Sequence, residues 1–139
     1  MSTLSIEELN RFGDGHLPGY LGFVVTEVAE GRIRAEIAIT PQHMAPNGYL
    51  HAATVIALAD TAAGYGCRTV LPPDASGFTT IELKANYIGT AREGLIECVA
   101  TVVHRGNTTQ VWDSIVTHKD TGRTIALFRC TQMILYPKK

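Results

Sequence analysis

Apolar positions along the chain change period three times, and each change marks an element. In "SIEELNRF", Ile6, Leu9 and Phe12 recur at helical spacing behind Ser5 and two glutamates, which predicts a short amphipathic helix ended by Gly13 and Gly15. From Gly22 the pattern alternates. "FVVTEVAEGRIRAEIAIT" puts Ile33, Ala35, Ile37 and Ile39 on one face, with Glu30-Gly31 as the turn between two antiparallel strands.

The segment "HAATVIALADTAAGYGC", His51 to Cys67, is rich in Ala, too long for a strand and apolar almost all round, so it is expected to be a central, buried helix. "LPPDASG" from Leu71 to Gly77 reads as a loop. Four runs of β-branched and aromatic residues follow: "FTTIELKANYI", "LIECVATVVH", "TQVWDSIVTH" and "RTIALFRCTQMILY". "TAREG", "RGNT" and "KDTG" separate them with turn chemistry. The expected architecture is α+β, an antiparallel meander curved around one long helix, and not a doubly wound nucleotide-binding fold.

Composition narrows the classes. The 139 residues carry a formal charge of -1 and an apolar fraction of 45%, which suits one domain spanning 1–139. Balanced charge without a basic block argues against nucleic acid and anionic membrane as partners. Cys67, Cys98 and Cys130 are widely spaced and form no CxxC pair, so a reducing cytoplasm is the expected location. The N-terminus lacks the charged lead and apolar core of a leader, and no run is long enough to cross a bilayer, so the chain is expected to be soluble and unprocessed. His16, His43, His104 and His118 show no metal-ligand spacing, and no metal is expected.

One charge breaks the apolar helix. Asp60 stands among Ala, Leu, Val and Ile, where an uncompensated carboxylate is costly unless it faces water or has a chemical task. His51 lies nine residues earlier, at the expected helix start, which puts the two on roughly opposite faces and about 13 Å apart along the axis. A helix start offers N–H groups without intrahelical partners, able to receive a developing oxyanion. Gly48 in "PNGYLH" can take the backbone angles that bring His51 and the Ala52 amide to a substrate.

Gly48, His51 and Asp60 stand at the spacing of a known family, and "IELKANYIGTAREG" and "VVHRGNTTQVWDSIVTHKDTGR" resemble its later segments in the same order. The chain thus resembles the hotdog-fold acyl-coenzyme A thioesterases, in the group related to the phenylacetate-pathway thioesterase. That resemblance implies a curved sheet around a long helix, a homodimer joined edge to edge, and usually a homotetramer of two such dimers. It implies an acyl- or aryl-coenzyme A thioester as substrate, with coenzyme A part of the substrate and no separate cofactor. It also implies an active site at the dimer interface, where Asp60 of one subunit, as nucleophile or general base, faces the helix start of the other. The Ala52 amide would hold the oxyanion, His51 would orient the thioester, and Thr80 would stand near the attacking water or carboxylate.

The chain departs from the family pattern at three positions. Ala52 and Ala53 replace the two glycines after the histidine, and Ala45 stands where many members carry Asn or Gln. Asn47 and Gln42 are candidate amides for that role, although neither occupies the family position. By the same resemblance the coenzyme A nucleotide lies near the turn "HRGNT", where Arg105 can meet a phosphate, Gly106 admits close backbone approach, and Asn107 or Thr108 donates further hydrogen bonds. Asp113, alone in its strand, is expected to face outward. Two other readings remain open: a non-catalytic acyl-coenzyme A binding module, suggested by the alanine replacements, and a hotdog dehydratase, whose Pro-rich histidine motif is not found here.

Overall fold

The computed structural model describes residues 4–138. Helix α1 spans Ile6–Phe12 as expected, and its start forms a capping box. Ser5 Oγ accepts the Glu8 N–H at 3.1 Å, while the Glu8 carboxylate accepts the Ser5 N–H at 2.8 Å. Leu9 is buried, and Asn10 pairs with both backbone groups of Val25, fastening the helix to the first strand. A second short helix, α2 at Leu17–Leu21, was not expected. Its "LPGYL" sequence carries Pro and Gly, which read as loop, yet Pro is well placed in a first helical turn.

Six strands form one antiparallel sheet: β1 Val24–Ala29, β2 Arg32–Ala38, β3 Gly77–Tyr87, β4 Leu95–Arg105, β5 Thr109–His118 and β6 Thr124–Leu135. Their spatial order is β1-β2-β4-β5-β6-β3. The meander therefore holds for β4, β5 and β6, while β3 corrects it: β3 pairs with β6 at the far edge, and β2 takes the other side of β4. The long helix between β2 and β3 carries the chain across the sheet, so sequence neighbours on either side of it need not pair. One face of the sheet is the core, lined by Ile33, Ile37, Ile96, Trp112, Val116 and Phe128. Asp113 faces outward as expected and holds Arg129 through two bonds of 2.6 and 2.9 Å.

Helix α3, Ala52–Thr69, lies on that core face with Val55, Leu58, Ala59, Ala62, Ala63 and Cys67 buried. Its small residues permit a close approach. A Cβ on Gly66 would sit 2.4 Å from two ring carbons of Trp112, so the indole occupies the space that glycine leaves. Ser114 Oγ donates to the Ala59 carbonyl at 3.0 Å, tying helix to sheet. The helix is not buried all round, contrary to expectation. Ala52, Ala53 and Arg68 are exposed, and Ile56, Ala57, Asp60 and Thr61 are half-buried, which leaves an open stripe along its outer side.

Candidate active site

The approach to α3 is fixed by His43, which ends a 3-10 helix at Pro41–His43. This histidine is 4% exposed. Its Nδ1 accepts the Thr40 N–H at 2.9 Å, so the proton sits on Nε2, which donates to the Leu21 carbonyl at 2.8 Å. The His43 carbonyl in turn accepts the His51 N–H at 3.1 Å and the Thr54 hydroxyl at 2.9 Å. One buried residue thereby joins the end of α2 to the start of α3.

The loop between them closes on itself. Ala45 N–H donates to the Tyr49 carbonyl at 2.7 Å, and Gly48 turns the chain with φ +89°, a region that favours glycine. Asn47 is exposed and its Oδ1 accepts the Tyr49 N–H at 3.2 Å, which shapes the turn, while its Nδ2 has no partner among the described residues.

His51 is the N-cap of α3. Its Nδ1 accepts the Ala53 N–H at 2.9 Å, which again leaves the ring proton on Nε2. Ala52 is the first helical residue, and among the described residues its N–H has no partner, while its carbonyl accepts the Tyr87 hydroxyl at 3.3 Å. The helix is regular from Ala52 onward, so the Ala52 N–H stands free at the positive end of an 18-residue helix.

Asp60 lies on the open stripe. It is half-buried, and its Oδ1 is shielded from water with no hydrogen-bond partner among the described residues. Burial pushes its carboxyl above the usual aspartate range, and no neighbouring cation offsets that shift. A buried unpartnered carboxylate oxygen costs stability, and such groups concentrate where chemistry requires them. The thiols are poor rivals as nucleophiles, since burial pushes Cys67 and Cys130 up to about 12.

Thr80 and the Arg105 turn make contacts of their own within the chain. Thr80 donates its hydroxyl to Oε1 of the buried Gln132 at 2.7 Å. The β4–β5 turn is a tight structural turn as well as a candidate binding surface. Arg105 pairs with Glu30 at 2.8 Å, and the Gly106 N–H donates to the Thr109 carbonyl at 3.0 Å. The Asn107 carbonyl accepts the Tyr136 hydroxyl, and the Thr108 carbonyl accepts the Ile134 N–H at 2.9 Å. The neighbouring Gly31 N–H meets Thr69 at the last turn of α3, so this turn lies about one helix length, roughly 27 Å, from His51. Within one chain the structure thus gathers Asn47, Gly48, His51 and Ala52 at one end, Asp60 midway, and Arg105 to Thr108 at the other.

Two residues near the site carried no assigned role in the sequence. His43 is the hub described above, and the Thr40-x-x-His43 spacing, a capping-box pattern with His in the last place, is the signal that could have found it. Tyr87 reaches Ala52 across 35 positions of sequence, a contact no local pattern reports.

Residues 47–126 match the model of the thioesterase superfamily, a span that contains His51, Ala52, Asp60, Thr80 and the Arg105 turn. The chain belongs to this superfamily. Two curated relatives bear the name 1,4-dihydroxy-2-naphthoyl-CoA hydrolase. The one from Listeria monocytogenes is 29% identical over 119 residues, covering 86% of this chain and 95% of the relative. The one from Escherichia coli is 28% identical over 135 residues, covering 95% and 96%. Among solved structures, a mutant thioesterase from Pseudomonas aeruginosa superposes with a TM-score of 0.91 at 24% identity, covering 98% of this chain and 97% of that one. The fold of this thioesterase is accordingly the hotdog, six antiparallel strands curved about α3. Among the described residues no group of three or more His, Cys, Asp or Glu is placed to hold a metal ion, and no helix is long and apolar enough to cross a membrane.

Proposed function

We propose that this thioesterase hydrolyses acyl- or aryl-coenzyme A thioesters at a site completed between two copies of the chain. The observation that carries the reading is the unpartnered, shielded Oδ1 of Asp60 on the same helix whose first N–H is free. Asp60 acts as general base and takes a proton from the attacking water, and its raised pKa makes it a better base than an exposed aspartate. The carbonyl oxygen, negative in the tetrahedral intermediate, is received by the Ala52 N–H, and His51 Nε2–H orients the thioester. Collapse of the intermediate expels the coenzyme A thiolate and leaves the carboxylic acid.

A single chain holds His51 and Asp60 about 13 Å apart along α3, too far for one carbonyl carbon. The open edge of β3 supports a two-chain site. This strand of 11 residues has no partner on its outer edge in the six-stranded order, and it exposes Leu83 (41%) and Tyr87 (44%) beside α3. Long exposed apolar edges invite pairing with another chain. A second copy on that edge would bring its own Asp60 to this His51. Pairing of dimers into tetramers would cover Ile115, Leu127 and Met133 on the outer face. The names of the relatives support coenzyme A as the leaving group, Arg105 suits its phosphates, and the free buried thiols suit a reducing cytoplasm.

Thiol release from a panel of acyl- and aryl-coenzyme A esters tests this reading, with Asp60→Asn beside the natural chain. Turnover of at least one ester, lost in the variant, supports it. Absence of turnover across the panel, or equal turnover in both proteins, refutes it.

A further inference from the structure

The end of β3 grips the chain on both sides of His51. Before the histidine, the Leu50 N–H donates to Thr90 Oγ1 at 3.1 Å; after it, the Ala52 carbonyl accepts the Tyr87 hydroxyl at 3.3 Å. The support behind this grip is firm. The Ile88 and Gly89 N–H groups both donate to the Ile125 carbonyl on β6, at 2.8 and 3.1 Å, and a Cβ on Gly89 would stand 2.5 Å from the Thr124 carbonyl oxygen. The strand end therefore cannot drift from the sheet without breaking its bonds to β6. From the other side, the His43 carbonyl accepts the His51 N–H at 3.1 Å.

Tyr87 bonds to the same peptide that bonds to the imidazole. The Ala52 carbonyl and the Ala53 N–H belong to one planar unit, and the Ala53 N–H donates to His51 Nδ1 at 2.9 Å. A donor on the carbonyl oxygen of a peptide draws charge toward that oxygen and makes the N–H of the same unit a stronger donor, the cooperative strengthening of linked hydrogen bonds. Resting on the thioesterase reading above, we propose that Tyr87 is a positioning residue for His51: its hydroxyl acts through the Ala52–Ala53 peptide to keep Nδ1 an acceptor and the ring proton on Nε2, where the thioester is met. The phenol need not touch substrate to do this. Burial holds it above the usual tyrosine range, so it remains a donor at neutral pH. Tyr87 is also the last residue of β3, whose outer edge is open, so one side chain links that edge to the start of α3.

Tyr87→Phe removes the hydroxyl and keeps the ring, and NMR of the intact protein reads the result without substrate. The Ala53 amide proton should move upfield as its bond to Nδ1 weakens, and the two ring nitrogen signals of His51 should move toward each other as the Nδ1–H tautomer gains population. A ring-fluorinated tyrosine in place of Tyr87, a stronger donor at neutral pH, should shift both in the opposite direction. In a thiol-release assay Tyr87→Phe should lower kcat about threefold, the scale of one modest hydrogen bond, with KM unchanged. Unmoved Ala53 and His51 signals in both variants overturn the proposal. So does a raised KM with kcat intact, which would make Tyr87 a substrate contact. Loss of the folded state or of the assembly in Tyr87→Phe, with the fluorinated protein's signals unmoved, would assign the hydroxyl to stability alone and overturn it too. If the signals move as described while no ester releases thiol, the positioning of His51 stands and hydrolysis fails; if esters are hydrolysed while the signals stay, hydrolysis stands and the positioning fails.

Discussion

His51 caps its own helix: its Nδ1 accepts the Ala53 N–H at 2.9 Å, and the Ala52 N–H, one residue earlier, has no partner among the described residues. The same side chain thus caps the helix and stands beside the amide that the proposed mechanism assigns to the oxyanion. The two roles separate by mutation. His51→Ala should lose about 1 kcal/mol of stability in urea unfolding, the usual cost of a missing cap, and lose turnover. His51→Asn keeps a capping side chain and should retain most of the stability while turnover still falls, because an amide is not an imidazole Nε2–H. Thiol release and urea midpoints on both variants check this.

Asp60 makes a prediction about pH. Its folded-state pKa is raised by burial, so above the ordinary aspartate value, near 4, the folded chain binds more proton than the unfolded chain. Stability from this group is complete below that value and declines as pH rises through the folded-state pKa. Asp60→Asn lacks the decline, so it should match the natural protein in acid and exceed it at neutral pH, although it should lose at least about 100-fold in kcat. Melting temperatures across pH check the first statement. The acid limb of the natural enzyme's kcat profile should titrate above the ordinary aspartate range.

Most elements were legible in the sequence because each has a local period. The capping box at Ser5 and Glu8, the alternation through Ile33, Ala35 and Ile37, and the Ala-rich run of α3 all stand where their patterns put them. What was not legible depends on distance. The pairing of β3 with β6 is decided by how α3 carries the chain, and no alternation encodes it. The open stripe of α3 was hidden because Ala52, Ala53 and Ala57 are apolar whether covered or not. Asp60 could be singled out as a charge in an apolar run, but its missing partner and the Tyr87–Ala52 contact are facts of three-dimensional packing.

Gly66 predicts a stability defect without a catalytic cause. A methyl group there would overlap the fully buried Trp112, whose indole N–H is itself held by Gln110 at 2.8 Å and cannot easily turn away. Gly66→Ala should cost about 1–3 kcal/mol, the range for overpacked cores. Urea unfolding followed by Trp112 fluorescence measures it, and an unchanged midpoint would mean that α3 can withdraw from the sheet freely.

Arg105 predicts an effect confined to binding. Its exposed pair with Glu30 contributes little to stability. Arg105→Ala should raise KM for coenzyme A esters with kcat unchanged, since a phosphate contact is the same in ground and transition states. A pantetheine thioester, which lacks the nucleotide, should show no difference between the two proteins.

The central claim is that His51 of one chain works with Asp60 of another, and a hybrid dimer tests it most directly. One subunit carries Asp60→Asn and keeps His51; the other carries His51→Ala and keeps Asp60. A site shared across the interface gives one intact centre and one doubly damaged centre per hybrid. Purified by two different tags, the hybrid should therefore show close to half the thiol-release activity of the natural dimer, although both parent homodimers are nearly inactive. Activity no higher than that of the parents would mean that each centre is built within one chain, and the shared-site account would be wrong.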